Sequence, residues 1–246
     1  MSGLTDLAKR LIALTPYRLI SGAPNRFQEV DSCIARLQQR HGYRPRVVID
    51  GGAHLGSFAL AAHALFPDAR VHLVEPQPPC RPGLEKLVAS HGFAFHPYAL
   101  SDKSGTARFM CYATPNTGAF IAWNDTTTTD VEVEVETRTL DQLFAVDLTP
   151  ADRTLLKLDL QGHELIALAG AKALLPAVEV VLTEVSFFQQ IGEPTIPELI
   201  GFFHQAGFDL FDVAALSGRT RDDRLRQGDF IFVRRGSAIS SDTNWS

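Results

Sequence analysis

Apolar residues recur at helical spacing near the N-terminus: Leu4, Leu7, Leu11 and Leu14, then Phe27, Val30, Ile34 and Leu37. Pro16 and Pro24 interrupt the stretch between them. The spacing predicts helices over 4–14 and 26–40, an N-terminal helical extension covering 1–44. From Arg46 the pattern changes. "RVVID" (46–50) reads as a buried strand, 57–66 as a helix ended by Pro67-Asp68, and "RVHLVE" (70–75) as a second strand. Residues 78–90 read as a helix whose prolines suit its first turn, and "FAFHPYAL" (93–100) as a third strand. Strands separated by helices argue a parallel sheet with right-handed crossovers.

The rhythm then alters. "GTARFMCYA" (105–113) has strand character, and "VEVEVETRTL" (131–140) alternates apolar and polar, as a strand with one solvated face does. The Thr-rich "NDTTTTD" (124–130) lies just before the second of these. The segment 105–138 is therefore expected to be a small antiparallel β insertion, followed by a short helix over 140–146. The α/β rhythm resumes with "TLLKLDL" (154–160), a helix over 163–175, "VEVVLTEVS" (178–186) and a helix over 196–206 ending at Gly207. "FDLFDVA" (208–214) and "DFIFVRR" (229–235) read as an antiparallel closing pair around a 215–228 loop. The expected fold is α/β: a mostly parallel seven-stranded sheet with an antiparallel C-terminal strand and helices on both faces. Its domain is taken as 45–236, with a small, polar tail (237–246) expected to be disordered. No internal repeat is visible.

Charge and cysteine usage narrow the function classes. The chain has 246 residues, a formal charge of −5 and a pI near 5.9, against the basic patch of a nucleic-acid binder. The arginines of "GRTRDDRLRQG" (218–228) are interrupted by acids and read as a solvated loop. Cys33, Cys80 and Cys111 form no CxxC, so neither a disulfide framework nor a zinc site is expected. The opening residues lack an uninterrupted apolar core of the secretory kind, and no run approaches the ~18–20 apolar residues of a membrane span. A cytoplasmic protein without nucleic-acid partner or membrane span is expected, and a homodimer is left open.

The candidate chemistry starts at "VVIDGGAHLG" (47–56), a strand, a Gly-rich turn and a helix start. Such a turn opens nucleotide-binding units, but this one is not GxGxxG. Gly51, Gly52 and Gly56 offer permissive backbone for close approach of a ligand, with Ala53, His54 and Ser57 around them. Asp50 would repel a pyrophosphate and favour a cationic amino group, or a water network beneath one. Glu75, ending the second strand beside Pro76, is placed to accept from both hydroxyls of a ribose. Ribose, adenine, an amino-acid end and no phosphate describe S-adenosylmethionine; Glu75 alone also suits NAD. "YALSD" (98–102) follows the third strand, where a backbone amide with Leu100, Ser101 and Asp102 could read the adenine edge.

The most specific stretch is "LLKLDLQGHELIALAGAKALL" (155–175). It resembles the FkbM-type methyltransferases, whose signature runs Lys-Ile-Asp-x-(Glu/Gln)-Gly-x-Glu into an apolar helix with a Leu-x-Gly-Ala step. Here the matching residues are Lys157, Asp159, Gln161, Gly162 and Glu164, then Gly170-Ala171. "VVIDGGAHLGSFA", "VEPQP", "LTEVSF", "GFDLFDV" and "DFIFVRR" extend the resemblance over roughly 46–235. His54 departs from the family's usual Asn, though an imidazole can also donate to a cofactor carboxylate. The resemblance implies a Rossmann-like class I fold, S-adenosylmethionine as cofactor and O-methylation of a hydroxylated small molecule, a sugar or secondary metabolite.

A hydroxyl is a poor nucleophile until its proton is drawn away, so a general base is sought. Asp159 ends its strand, His163 follows at the next helix start, and Glu184 ends the neighbouring strand. The expectation is that the three converge: His163 as general base, Asp159 orienting the substrate or the cofactor's amino end, and Glu184 orienting the imidazole or binding a substrate hydroxyl. The alternative is that His163 faces solvent as a helix-start residue. Glu164 reads as a first-turn acid, and Lys157 as the partner of a buried carboxylate. No metal site is expected, with Asp159, His163 and Glu184 as ligands of a divalent ion kept as the alternative. His63, His72, His91, His96 and His204 read as isolated. Phe109, Tyr112, Phe120 and Trp123 are candidates for stacking on an acceptor or for core, and "PNTGAFIAW" (115–123) for a lid. The place of an Asn/Asp-Pro-Pro-aromatic element, common in base-amine methylation, reads "DLQGH". Two other readings remain: an NAD-dependent oxidoreductase, and a non-catalytic module that keeps the fold for a partner.

Overall fold

The computed structural model describes residues 26–111, 118–119, 131–189 and 194–241. Seven strands form the main sheet: β1 (Val47–Gly51), β2 (Arg70–Val74), β3 (Ala94–His96), β8 (Thr154–Leu158), β9 (Val178–Ser186), β10 (Phe208–Arg219) and β11 (Leu225–Arg234). Their spatial order is β10-β11-β9-β8-β1-β2-β3. The pairs β1–β2, β1–β8, β2–β3 and β8–β9 are parallel, and β11 runs antiparallel to both its neighbours. The order reverses between β8 and β1, so their carboxyl ends open a crevice suited to a ligand.

The strands β1 and β8 are buried at every position, the mark of a sheet covered on both faces. On one face, helices α1 (Arg26–His41), α2 (Ser57–Leu65) and α3 (Arg81–His91) bury Val30, Ile34, Leu37, Phe58 and Leu84 with Val48, Leu155 and Ile231. On the other, α4 (Glu164–Ala169), α5 (Ile196–Gln205) and the single π-turn 141–145 enclose Ile49, Leu156, Val181 and Phe232. Helix α1, read as part of an extension, thus shares its core with the sheet. Its Arg36 also pairs with Asp212 of β10 at 2.8 Å. The expected 4–14 helix lies outside the described residues.

A second sheet, ordered β4-β7-β5-β6, is built from β4 (Ala99–Leu100), β5 (Gly105–Cys111), β6 (Gly118–Ala119) and β7 (Val131–Arg138). The alternation in β7 works as expected: Val135 and Thr137 are buried while Glu132, Glu134 and Glu136 are exposed. Tyr112, Phe120 and Trp123, and most of the proposed lid, lie outside the described residues.

Four expectations need correction. The single strand over 93–100 is two, because Pro97 cannot donate to a ladder; β3 stays in the main sheet and β4 joins the second. The helix over 163–175 stops at Ala169, since Asp141 takes over the ladder: its N–H donates to the Gly170 carbonyl at 2.9 Å and its carboxylate accepts from the amides of Ala173 and Leu174. The 215–228 loop is mostly hairpin, with β10 running to Arg219 and β11 starting at Leu225. The tail is ordered at least to 241: Ser237 caps a short turn over Ala238–Ser240 and Ile239 is buried. The histidines, too, are not isolated. His72 Nδ1 lies 3.0 Å from His96 Nε2, both rings edge onto Phe144, and His63 meets His91 and Phe93.

Candidate active site

The turn after β1 is shaped by left-handed backbone at Gly52, His54 and Gly56, with φ of 74°, 50° and 79°. Asn and His both tolerate this region, which accounts for the exchange at position 54. The glycines, however, make room for the chain itself. A Cβ on Gly52 would lie 2.0 Å from the Asp159 carbonyl oxygen, and one on Gly56 would lie 2.4 Å from Leu87. A Cβ on Gly51 would press on Leu158 and Leu100. Their expected role, room for a ligand, holds only for Gly52, which also borders the cleft.

Asp50 likewise does not border the cleft. It is fully buried, and Lys157 Nζ stands 3.0 Å from its Oδ1 while donating to the Gly52 carbonyl at 2.8 Å. Burial raises the Asp50 pKa and Lys157 opposes that rise. Lys157 is therefore the brace of a buried carboxylate, as its place within a strand suggested, and the pair clamps the turn onto β8.

Glu75 is the opposite case. It is buried but borders the cleft, and its oxygens accept from the backbone N–H of His54 (2.7 Å) and Gln77 (3.0 Å). A carboxylate held by one N–H per oxygen is fixed in orientation and keeps a lone pair on each oxygen for a further donor. Burial raises its pKa, and the two backbone donors oppose this.

The cleft itself has about 550 Å³ of space including its open mouth. Of the expected residues, Gly52, His54, Glu75, Pro76, Leu100 and Asp159 border it. Gly51, Ala53, Gly56 and the exposed Ser57 do not. Ser101 and Asp102 also stand back. The Ser101 amide donates to the Arg138 carbonyl at 3.0 Å, so it is spent on the second sheet rather than on an adenine. Tyr98, Leu100 and Phe109 supply the apolar wall instead, Phe109 being at once core of the second sheet and wall of the cleft.

The expected three-way convergence divides into two groups. Asp159 and Glu184 are joined by Gln161, whose Nε2 donates to Asp159 Oδ1 at 2.8 Å and to Glu184 Oε2 at 3.3 Å. Gln227 of β11 donates to the other oxygen of Glu184. His163 is instead 3.3 Å from Ser101 Oγ, and it does not border the cleft. Burial lowers its pKa to about 4, with Asp102 opposing. The expected convergence of His163 with Asp159 and Glu184 is corrected accordingly: the ring, neutral near pH 7, meets Ser101 instead.

Gln161 and Gln227 carry no expected role from the sequence. Gln161 was visible as a signature residue, but its meaning depends on φ values of 53° at Gln161 and 96° at Gly162, which fold its side chain back over the sheet edge. Glu164 sustains this loop. Buried at the start of α4, it accepts from the amides of Leu160 (2.7 Å) and Gly162 (3.3 Å). Burial pushes its pKa up to about 7. Among the described residues no group of three or more His, Cys, Asp or Glu could hold a metal ion. No described helix is long and apolar enough to cross a membrane.

The reversing parallel sheet, the crevice at the ends of β1 and β8, and an oriented acid at the end of β2 define a Rossmann-like fold with a nucleotide-type cofactor cleft. The chain belongs to the FkbM methyltransferase family, whose domain model matches residues 50–210. S-adenosylmethionine is the cofactor that this family indicates, and the fixed Glu75 carboxylate bordering the cleft fits it. Among solved structures the chain is similar to an FkbM methyltransferase from Methylobacillus flagellatus KT, at 16% identity, with 80% of this chain and 47% of that one covered and a TM-score of 0.49. It thus spans about half of that protein's length. Precorrin-6y C5,15-methyltransferase from Geobacter metallireducens GS-15 is 16% identical, with coverages of 88% and 94% and a TM-score of 0.46. An rRNA methylase from Streptococcus thermophilus is 10% identical, with coverages of 87% and 99% and a TM-score of 0.49. No curated protein matches the sequence.

Proposed function

We propose that the protein is an O-methyltransferase acting on a hydroxyl of a small sugar-like or secondary-metabolite acceptor, with Asp159 as the general base. The observation that carries this reading is the carboxylate of Asp159 at the cleft wall, held by Gln161 beside Glu184. When bound, the sulfonium cofactor supplies an already activated methyl group. The residues then need only align the acceptor and take up its proton. Glu75 would hold the ribose, and Tyr98, Leu100 and Phe109 the adenine. His54 and Gly52 would border the amino-acid end. Asp159 would accept the acceptor's proton as the hydroxyl oxygen attacks, and Glu184 would hold Gln161 in place beside it.

An NAD-dependent enzyme is disfavoured by the turn. A pyrophosphate needs free amides, and those of Gly52 and Ala53 are spent on the Val74 carbonyl at 2.9 and 3.1 Å. A cytoplasmic setting is in keeping with the free, buried thiols of Cys33, Cys80 and Cys111.

The test is release of S-adenosylhomocysteine from S-adenosylmethionine over a panel of hydroxylated acceptors, for wild type and Asp159→Asn. Loss of the base is expected to lower kcat by about 10²–10⁴-fold, with affinity for S-adenosylhomocysteine within about threefold of wild type. A variant of undiminished kcat would remove Asp159 from the chemistry. A wild type that binds S-adenosylhomocysteine but turns over no acceptor would favour the non-catalytic module.

A further inference from the structure

At the acceptor end of the cleft, the orientation of one carboxamide is dictated by its neighbours. Gln161 offers two N–H donors and one carbonyl oxygen. Its Nε2 lies between two carboxylates, 2.8 Å from Asp159 Oδ1 and 3.3 Å from Glu184 Oε2. Ionised carboxylates only accept, so the amide cannot be turned over without setting its oxygen against both of them. Glu184 is served from its other side by the Nε2 of Gln227, which again spends its donors on the carboxylate. Glu164 locks the backbone of the same loop through Leu160 and Gly162, so that the left-handed pair Gln161–Gly162 is not free to swing. Gln161 borders the cleft, and with its N–H groups turned inward the part of it left to meet a ligand is the carbonyl oxygen.

We infer that Gln161 is a specificity-determining residue: beside Asp159 it lines the cleft with hydrogen-bond acceptors that take acceptors presenting hydroxyl or ammonium donors and reject those bearing a carboxylate or phosphate at the same place. The inference rests on the methyl-transfer reading above and deepens it by naming the charge class of the acceptor. A hydroxyl or ammonium group donates to an oxygen-lined strip. A carboxylate finds no donor in these two side chains and meets the like charge of Asp159, which Lys157 offsets only from 4.0 Å on its buried side, so it must give up its water without replacement.

The experiment does not depend on the identity of the natural acceptor. Wild-type protein saturated with S-adenosylhomocysteine is mixed with three probes built on one sugar ring: methyl α-glucoside, glucosamine and glucuronate. Binding is read by saturation-transfer NMR. The glucoside and glucosamine are expected to bind at least about tenfold more tightly than glucuronate, the factor for one charged hydrogen bond lost. In Gln161→Leu, which keeps the bulk without the carbonyl, the glucoside signal is expected to fall while affinity for S-adenosylhomocysteine stays within about threefold. Equal signals from all three probes, nil included, overturn the inference, as does a preference for glucuronate or a glucoside signal unchanged by Gln161→Leu. Failure of S-adenosylhomocysteine itself to bind would overturn the methyl-transfer reading along with it. Cofactor binding with the wrong probe order would overturn this inference alone. The probe comparison uses wild type only, so it decides the question even if the variant does not fold.

Discussion

Replacing Glu75 by Gln changes one atom and two interactions at once. In the native protein each carboxylate oxygen accepts from a backbone N–H, His54 at 2.7 Å and Gln77 at 3.0 Å, and each retains a lone pair toward the cleft. A glutamine offers only one acceptor oxygen. Its NH2 must oppose one of the two backbone donors, and that donor is left unsatisfied in a buried place, at a cost of about 1–3 kcal/mol in stability. The ribose loses more. A hydrogen bond to a charged group is worth roughly 1.5–3 kcal/mol and a neutral one roughly 0.5–1.5, so two ribose hydroxyls together lose about 2–3 kcal/mol. That converts to a rise in Kd for S-adenosylhomocysteine of about 30- to 150-fold. Calorimetric titration of folded wild type and variant measures it, with urea denaturation run alongside. A change in Kd below about threefold in a folded variant would refute the assignment of Glu75 to the ribose.

Two further outcomes follow from the buried charges. Lys157→Met removes the cation 3.0 Å from fully buried Asp50, and a broken buried pair costs about 3–5 kcal/mol; urea denaturation showing a loss below about 1 kcal/mol would mean that Asp50 is stabilised otherwise. Glu164 holds its proton up to about pH 7 in the folded protein, against an ordinary value of 4.5. Between those values the folded state binds more protons than the unfolded one, so Glu164 lowers stability progressively as pH rises through that window, by about 3 kcal/mol once pH exceeds 7. Glu164→Gln keeps an oxygen for the amides of Leu160 and Gly162 and should therefore gain on wild type at pH 8 while matching it near pH 4. Parallel pH–stability curves for the two proteins would refute this.

Much of the architecture was legible along the chain because it is written in local periodicity. The runs of apolar residues in "RVVID" and "TLLKL" read as strands buried on both faces, and the alternation of "VEVEVETR" as a strand with one wet face, and each forms such a strand. Glu75 at a strand end kept its expected place in the cleft, since the end of a parallel strand next to the reversal point faces the crevice whatever else surrounds it.

What the sequence could not determine is which partner each polar group meets, for that depends on residues distant in the chain. Asp50 looked like a ligand-facing acid until Lys157, which lies 105 residues beyond Gly52, proved to neutralise it. His163 was read as turned toward Asp159 and Glu184 because all three end neighbouring elements; the path of the loop turned it to Ser101 instead, 62 residues earlier. The helix after β8 was expected to continue through Gly170, and only Asp141, about 30 residues earlier in the chain, shows why it stops, by taking the Gly170 carbonyl and the amides of Ala173 and Leu174. Gln161 carried a familiar letter without a visible task. Its task came from two left-handed residues, a buried glutamate beneath them and a carboxylate on the next strand, none of which can be placed by spacing alone. Periodicity is a property of a segment and survives in the sequence; the direction of a hydrogen bond is a property of two segments brought together, and the tertiary structure decides it.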